Sequence, residues 1–166
     1  MEHWIMLAMW LFGTAGFILF IPRKDWRMGF FSFLLFQAII WLVDMITFAL
    51  DWQHAPVREF PKATHMPLTL DYFFYPVSFA IYYVNKKSKD GLWSRFIYFF
   101  VWISVITLFD NVLERYTDLI AYDKMTWYTI WLDFGFLYSV SQVCCNWYFK
   151  DRDSFQTEQR WETHEN

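Results

Sequence analysis

The sequence predicts an all-α integral membrane bundle of five transmembrane helices, with the amino terminus outside and the carboxyl terminus cytoplasmic. Three observations predict it. Apolar residues make up 57% of the chain and aromatics 25%, well above the shares in a soluble domain. Five apolar stretches, residues 4–21, 28–50, 67–84, 96–113 and 126–149, each match the ~20 residues (about 17–25) that a helix needs to cross the hydrocarbon layer. The lysines and arginines, finally, divide unevenly between alternate connectors, as they do in membrane proteins of fixed orientation.

The first stretch follows Met1-Glu2-His3, which lacks a basic leader start, and Phe20-Ile21-Pro22 offers no small-x-small cleavage site, so it reads as a retained helix. Its Gly13-x-x-Gly16 pair predicts close helix contact, and its lack of charge predicts a peripheral place. In the second stretch Gln37, Asp44 and Asp51 recur every seven residues with Thr47 between. The third holds Asp71, Tyr75, Ser78 and Tyr82 on one side and carries Pro76. Were it re-entrant, every later segment would invert and the charge split would degrade. In the fourth, Ser104, Thr107, Asn111 and Glu114 form a face, with Asp110 and Glu114 at i, i+4. In the fifth, Thr126, Thr129 and Asp133 follow the same spacing. Such polar faces point inward in a bundle while Phe, Leu and Ile meet lipid. Residues 1–150 thus form one transmembrane domain, and 151–166 a polar cytoplasmic tail.

The connectors carry prolines or charges, as loops should. Arg23, Lys24, Arg27, Lys86, Lys87, Lys89, Arg95, Lys150, Arg152 and Arg160 fall on one side, ten of the fourteen basic residues. Only Arg58, Lys62, Arg115 and Lys124 fall on the other. The positive side is cytoplasmic, so the expected location is the cell membrane, crossed several times. Trp and Tyr gather at the stretch ends, for example Trp4, Trp52, Trp93, Trp127 and Trp147, where amphipathic rings favour the headgroup level.

Several classes of function are excluded. The net charge of −3 and the lack of a basic patch exclude nucleic acid. Adjacent Cys144 and Cys145 point about 100° apart in a helix, which suits packing and no disulfide. His3, His54, His65 and His164 lie outside the stretches, against a transmembrane haem. No metal-ligand spacing, phosphate loop or Ser/His/Asp motif occurs, so no metal and no cofactor is expected. Thr14, Ser32, Ser139, Ser141 and Gln142 give the inner half little polarity for an ion path.

Carboxyl groups carry the functional signal. A charge near the bilayer centre costs about 2.5–3.5 kcal/mol on insertion scales, so such residues face a cavity or a partner. With the orientation above, Asp44, Asp71, Asp110, Glu114 and Asp133 all fall in the outer half. They are expected to wall an outward-facing acidic pocket, with Glu59, Tyr75 and Tyr116 among its lining residues and Arg58 and Arg115 as neutralising partners.

Three readings remain open. The first is a module that binds or senses a lipid, an amphiphile or a cation. The second is an enzyme in which Asp44, Asp110 or Glu114 donates a proton to an isoprenoid while aromatic walls stabilise a carbocation, as in a cyclase or isomerase. The third is a structural or assembly subunit of a membrane complex whose acids are only paired. Expected partners are membrane lipid, a lipid-like or cationic ligand, and another membrane protein or a second copy of the chain.

Pro22-Arg23-Lys24-Asp25-Trp26-Arg27, Arg58-Glu59-Phe60-Pro61, Tyr75-Pro76, and Glu114-Arg115-Tyr116-Thr117 with Tyr122 and Trp127-Tyr128 beyond carry a resemblance. On these motifs the chain resembles a family of small multi-spanning membrane proteins of endospore-forming Gram-positive bacteria. The resemblance covers most of the chain and implies the membrane setting, but no activity. In topology alone the chain is also similar to small carotenoid and meroterpenoid cyclases, which place acids within short helical bundles.

Overall fold

A computed structural model describes residues 2–57, 59, 66–86 and 91–162, with side chains to position 149. The regular structure of the described residues is helical apart from one two-stranded pairing. Helix α1 spans Glu2–Phe20, a 3₁₀ turn covers Arg23–Asp25, and α2 spans Trp26–Ala49. Strand β1 is Gln53–His54. A π-helical segment, Thr69–Phe74, leads straight into α3, Tyr75–Asn85. Then come α4 (Leu92–Tyr116), β2 (Ala121–Tyr122) and α5 (Trp127–Glu162).

Among the described residues, three helices are long and apolar enough to cross a membrane: α1, α2 with the turn before it, and α4. The expectation of five such spans is met in part. The third stretch is short, with six π-helical and eleven α-helical residues. The fifth mixes Trp, Tyr, Ser and Gln among its aliphatic residues and runs on to Glu162, past the expected boundary at 150.

Pro76 accounts for the widened start of α3. A proline lacks the N–H that would bond to the carbonyl four residues back, and its ring clashes with that carbonyl. Here the carbonyl belongs to Tyr72. The Tyr75 N–H reaches back five residues to Leu70. The orphaned Tyr72 carbonyl accepts from Gln37 Nε2 of α2 at 3.1 Å. One sequence choice thus creates a wide turn and another satisfies it, and Asp71 sits within that turn.

Helix α3 is the middle of the bundle. Every residue in it except Ile81, Val84 and Asn85 is buried. Phe79 stacks on Phe36 of α2 with ring centroids 4.7 Å apart, and Tyr138 of α5 meets both edge-on at 5.2 Å. Between helices in lipid such rings act through van der Waals packing, and each aromatic pair contributes about 0.5–1.5 kcal/mol. The polar stripe expected on this helix faces α4 and α5. Ser78 Oγ pairs with the Tyr138 hydroxyl at 2.7 Å, and Tyr82 donates to Gln142 Oε1 at 2.7 Å. Tyr83 donates to Asn146 Oδ1 at 3.1 Å.

Helix α1 is peripheral, as expected, with Leu11, Phe12 and Leu19 exposed. Gly13 lets it approach the π segment: a Cβ there would lie 2.6 Å from Phe73 Cε1. Phe73 in turn stacks on Trp10 at 3.9 Å.

The helices alternate in direction, since Phe31 at the start of α2 stacks on Tyr148 late in α5 and Asn85 at the end of α3 bonds to the Phe20 carbonyl. The ends of α2 and α4 and the starts of α3 and α5 therefore share one end of the bundle. There β1 and β2 pair antiparallel, Gln53 opposite Tyr122 and His54 opposite Ala121. This small ribbon lies across the bundle end as a lid.

Candidate functional site

Beneath the lid is a cavity of about 20 Å³, room for about one water molecule. Its polar walls are Asp44 from α2, Asp71 and Tyr75 from the third helix, Asp133 from α5, and Gln53 and Tyr122 from the lid. Ile40, Ile130, Phe134 and Leu137 close the rest.

The helix ends deliver these groups. Asp44 is buried, and its Oδ1 accepts from Gln53 Nε2 at 3.1 Å. The same Gln53 amide reaches Thr47 Oγ1 at 2.7 Å, which fixes the lid strand to α2. Asp71 is buried in the π turn. Among the described residues, Oδ2 of Asp44 and Oδ2 of Asp71 have no hydrogen-bond partner. Such atoms are costly to bury, about 1–3 kcal/mol each, unless something fills their need.

Asp110 of α4 stands behind the two tyrosines and is fully buried. It accepts from the hydroxyls of both Tyr75 and Tyr122. Burial, and then the Asp110 carboxyl, hold the Tyr122 phenol well above its ordinary pKa, so that it stays a donor. Asp110 therefore positions wall residues and does not itself line the cavity.

Four of the five expected acids, Asp44, Asp71, Asp110 and Asp133, thus converge on one end of one bundle. Glu114 does not join them: it is half-buried one turn beyond Asp110, outside the lining. Arg115 and Tyr116 are exposed at the end of α4, so the expected neutralising and lining roles have no counterpart there. Arg58 lies outside the described residues. Glu59 has a different task. Its carboxylate accepts the N–H groups of Leu68 at 3.1 Å and Thr69 at 2.9 Å, together with the Thr69 hydroxyl. It caps the third helix, whose leading N–H groups otherwise lack partners.

Other expected faces also differ. Asp51 leaves the α2 stripe because the chain turns there with φ of 52°, and its side chain is exposed. Ser104, Thr107 and Asn111 look toward a groove between α4 and α5, shared with Trp127 and Trp131, and away from the acids. Thr126 and Thr129 cap α5: the Thr126 N–H donates to Thr129 Oγ1 at 2.7 Å. The cavity is also narrow, with Gln53 and Tyr122, two walls that the sequence reading did not single out for the site, over it.

An open groove of about 580 Å³ adjoins the cavity. Trp52, Leu132 and Phe136 give it apolar walls, and Thr47, Thr129 and Lys124 its polar margin. Met125 and Asp133 belong to both spaces. Asp133 is half-buried, which puts one carboxyl at the junction of a small acidic chamber and an apolar trough.

Among the described residues, no lysine or arginine is paired with these acids; on the lid, the exposed His54 and Asp123 lie 2.7 Å apart. Nor does any described group of three or more His, Cys, Asp and Glu have an arrangement that could hold a metal ion. Set against protein-family models, curated proteins and solved structures, the chain matches none.

Proposed function

We propose that this protein is a multi-pass protein of the cell membrane that binds a cationic amphiphile in the outer half of the bilayer. The ammonium-type head sits at Asp133 and the acidic chamber, and the tail lies in the trough along Leu132 and Phe136. The observation that carries this reading is the dual position of Asp133, which serves both chamber and trough. The uneven split of basic residues supports the outward placement of the acidic end. Carboxyls without a described salt bridge favour a positive guest, and the apolar trough favours one with a chain.

The second reading, proton donation to an isoprenoid, finds less support. A chamber of about 20 Å³ has no room for such a chain with the lid in place, and Glu114 is not in its wall. The structural reading needs countercharges for the acids, and Arg115 is exposed at the end of α4.

Binding of a long-chain alkylamine to the purified full chain, followed through Trp52 fluorescence, tests the proposal against the alcohol of equal chain length. The amine should bind at least tenfold more tightly, which corresponds to about 1.4 kcal/mol. Asp133→Asn should remove that preference without unfolding the protein. Equal affinity for amine and alcohol would sink it.

A further inference from the structure

The opposite end of the bundle carries the reverse chemistry. Lys86, just past the end of α3, and Arg95, in the first turns of α4, are half-buried at one open pocket of about 240 Å³. Tyr82, Ser139 and Gln142 share its walls. Tyr82 donates to Oε1 of Gln142, which leaves the Gln142 Nε2 donors without a partner among the described residues. No described carboxylate pairs with either cation. Burial, and then the charge of Arg95, hold Lys86 below the ordinary lysine pKa, as two cations at one site require.

A pocket with two cations and amide and hydroxyl donors is complementary to a tetrahedral oxyanion.

We propose that this pocket is a binding site for a phosphate group, carried by a lipid or free in solution. A phosphodiester sits between Lys86 and Arg95 and accepts from the Gln142 amide. Phe96, exposed beside the cations and part of the pocket wall, suits a phosphate attached to an apolar chain. Basic pockets of this kind between helices take anionic headgroups in membrane proteins. The site is separate from the acidic chamber and does not depend on the alkylamine reading.

The test uses the full chain in micelles of dodecyl maltoside, which carries no phosphate, in three arms: plain, with added phosphatidylglycerol, and with added inorganic phosphate. The thermal unfolding midpoint should rise in at least one of the two anion arms, because a ligand bound only to the folded state stabilises it. A rise with phosphatidylglycerol alone assigns a lipid headgroup, and a rise with inorganic phosphate assigns the free anion. Lys86→Gln with Arg95→Gln should abolish the rise. Should that pair not fold, Lys86→Gln alone must give a smaller rise than the wild type. A wild type that responds to neither anion overturns the proposal, as does a rise of full size in the variants.

Discussion

Gln53 donates to Asp44 at 3.1 Å, so a residue of the lid is bonded to the innermost turn of acid on α2. The bond closes the chamber, and it should be measurable. Gln53→Ala leaves a buried carboxyl oxygen and the Thr47 hydroxyl without their donor. The loss should be about 1–3 kcal/mol, seen as a lower unfolding midpoint, with faster amide exchange at the lid ribbon. An unchanged midpoint and unchanged exchange would mean that the lid is held elsewhere.

Asp110 joins a residue of α3 to one of the lid through its two tyrosine donors. Tyr75→Phe and Tyr122→Phe should each cost about 1–3 kcal/mol. A double-mutant cycle of Tyr122→Phe with Asp110→Asn should show a coupling of about 0.5–3 kcal/mol. There is a pH signature as well. The folded Tyr122 phenol titrates well above the ordinary value of 10.0. Its contribution is therefore complete below that value and is lost as pH rises through the alkaline range, where only the unfolded chain ionises readily. Tyr122→Phe should flatten the alkaline fall in stability, and an identical pH profile in the variant would contradict the assignment.

The π turn makes a prediction of opposite signs. In the wild type, Gln37→Ala strips the Tyr72 carbonyl of its donor and should destabilise by about 0.5–1.5 kcal/mol. With Pro76→Ala the helix regains its own N–H for that carbonyl, so Gln37→Ala should then cost little. Chemical denaturation of the four species decides it. Equal costs in both backgrounds would break the link between Pro76 and the widened turn.

Two glycines should respond differently to alanine. At Gly13 a new Cβ would meet the Phe73 ring, which Trp10 backs by stacking, so Gly13→Ala should cost about 1–3 kcal/mol. At Gly135 nothing lies within 4 Å of an added Cβ, and Gly135→Ala should stabilise α5 by about 0.5–1 kcal/mol. Unfolding midpoints compare the two directly.

Much of the site was legible because helix length and charge cost together fix depth. Asp44, Asp71, Asp110 and Asp133 could be assigned to one end by counting along their spans. What counting could not decide was rotation about each helix axis. Asp110 and Glu114 sit one turn apart, yet burial separates them, because Glu114 lies near the helix end where solvent competes. Arg115 and Tyr116 are neighbours in sequence of a buried acid but face away from it. Gln53 and Tyr122 escaped notice as walls because each belongs to a two-residue strand whose partner is nearly seventy positions distant. No local periodicity announces such a pairing. Tyr82 was legible as part of a polar stripe, but Tyr83 lies at a stretch end, where the headgroup level is expected, and Tyr138 lies in no polar pattern; all three bring hydroxyls into the half of the bundle that the serines and threonines leave thinly polar. Pro76 did carry a usable signal, since a proline in a helix always frees the carbonyl four residues earlier, and a glutamine on a neighbouring helix is a fitting donor.

The ladder of bonds along α3 has a consequence for how the chain is made. Tyr75, Ser78, Tyr82 and Tyr83 find their partners at Asp110, Tyr138, Gln142 and Asn146, all of which are synthesised later. By the time Asn85 is added, α3 can already pack on α1 and α2, but the hydroxyl partners of its other face are still to come. A nascent chain stalled before Trp127 therefore holds Ser78, Tyr82 and Tyr83 without the partners that α5 brings, and completion of the bundle waits on the carboxyl-terminal third.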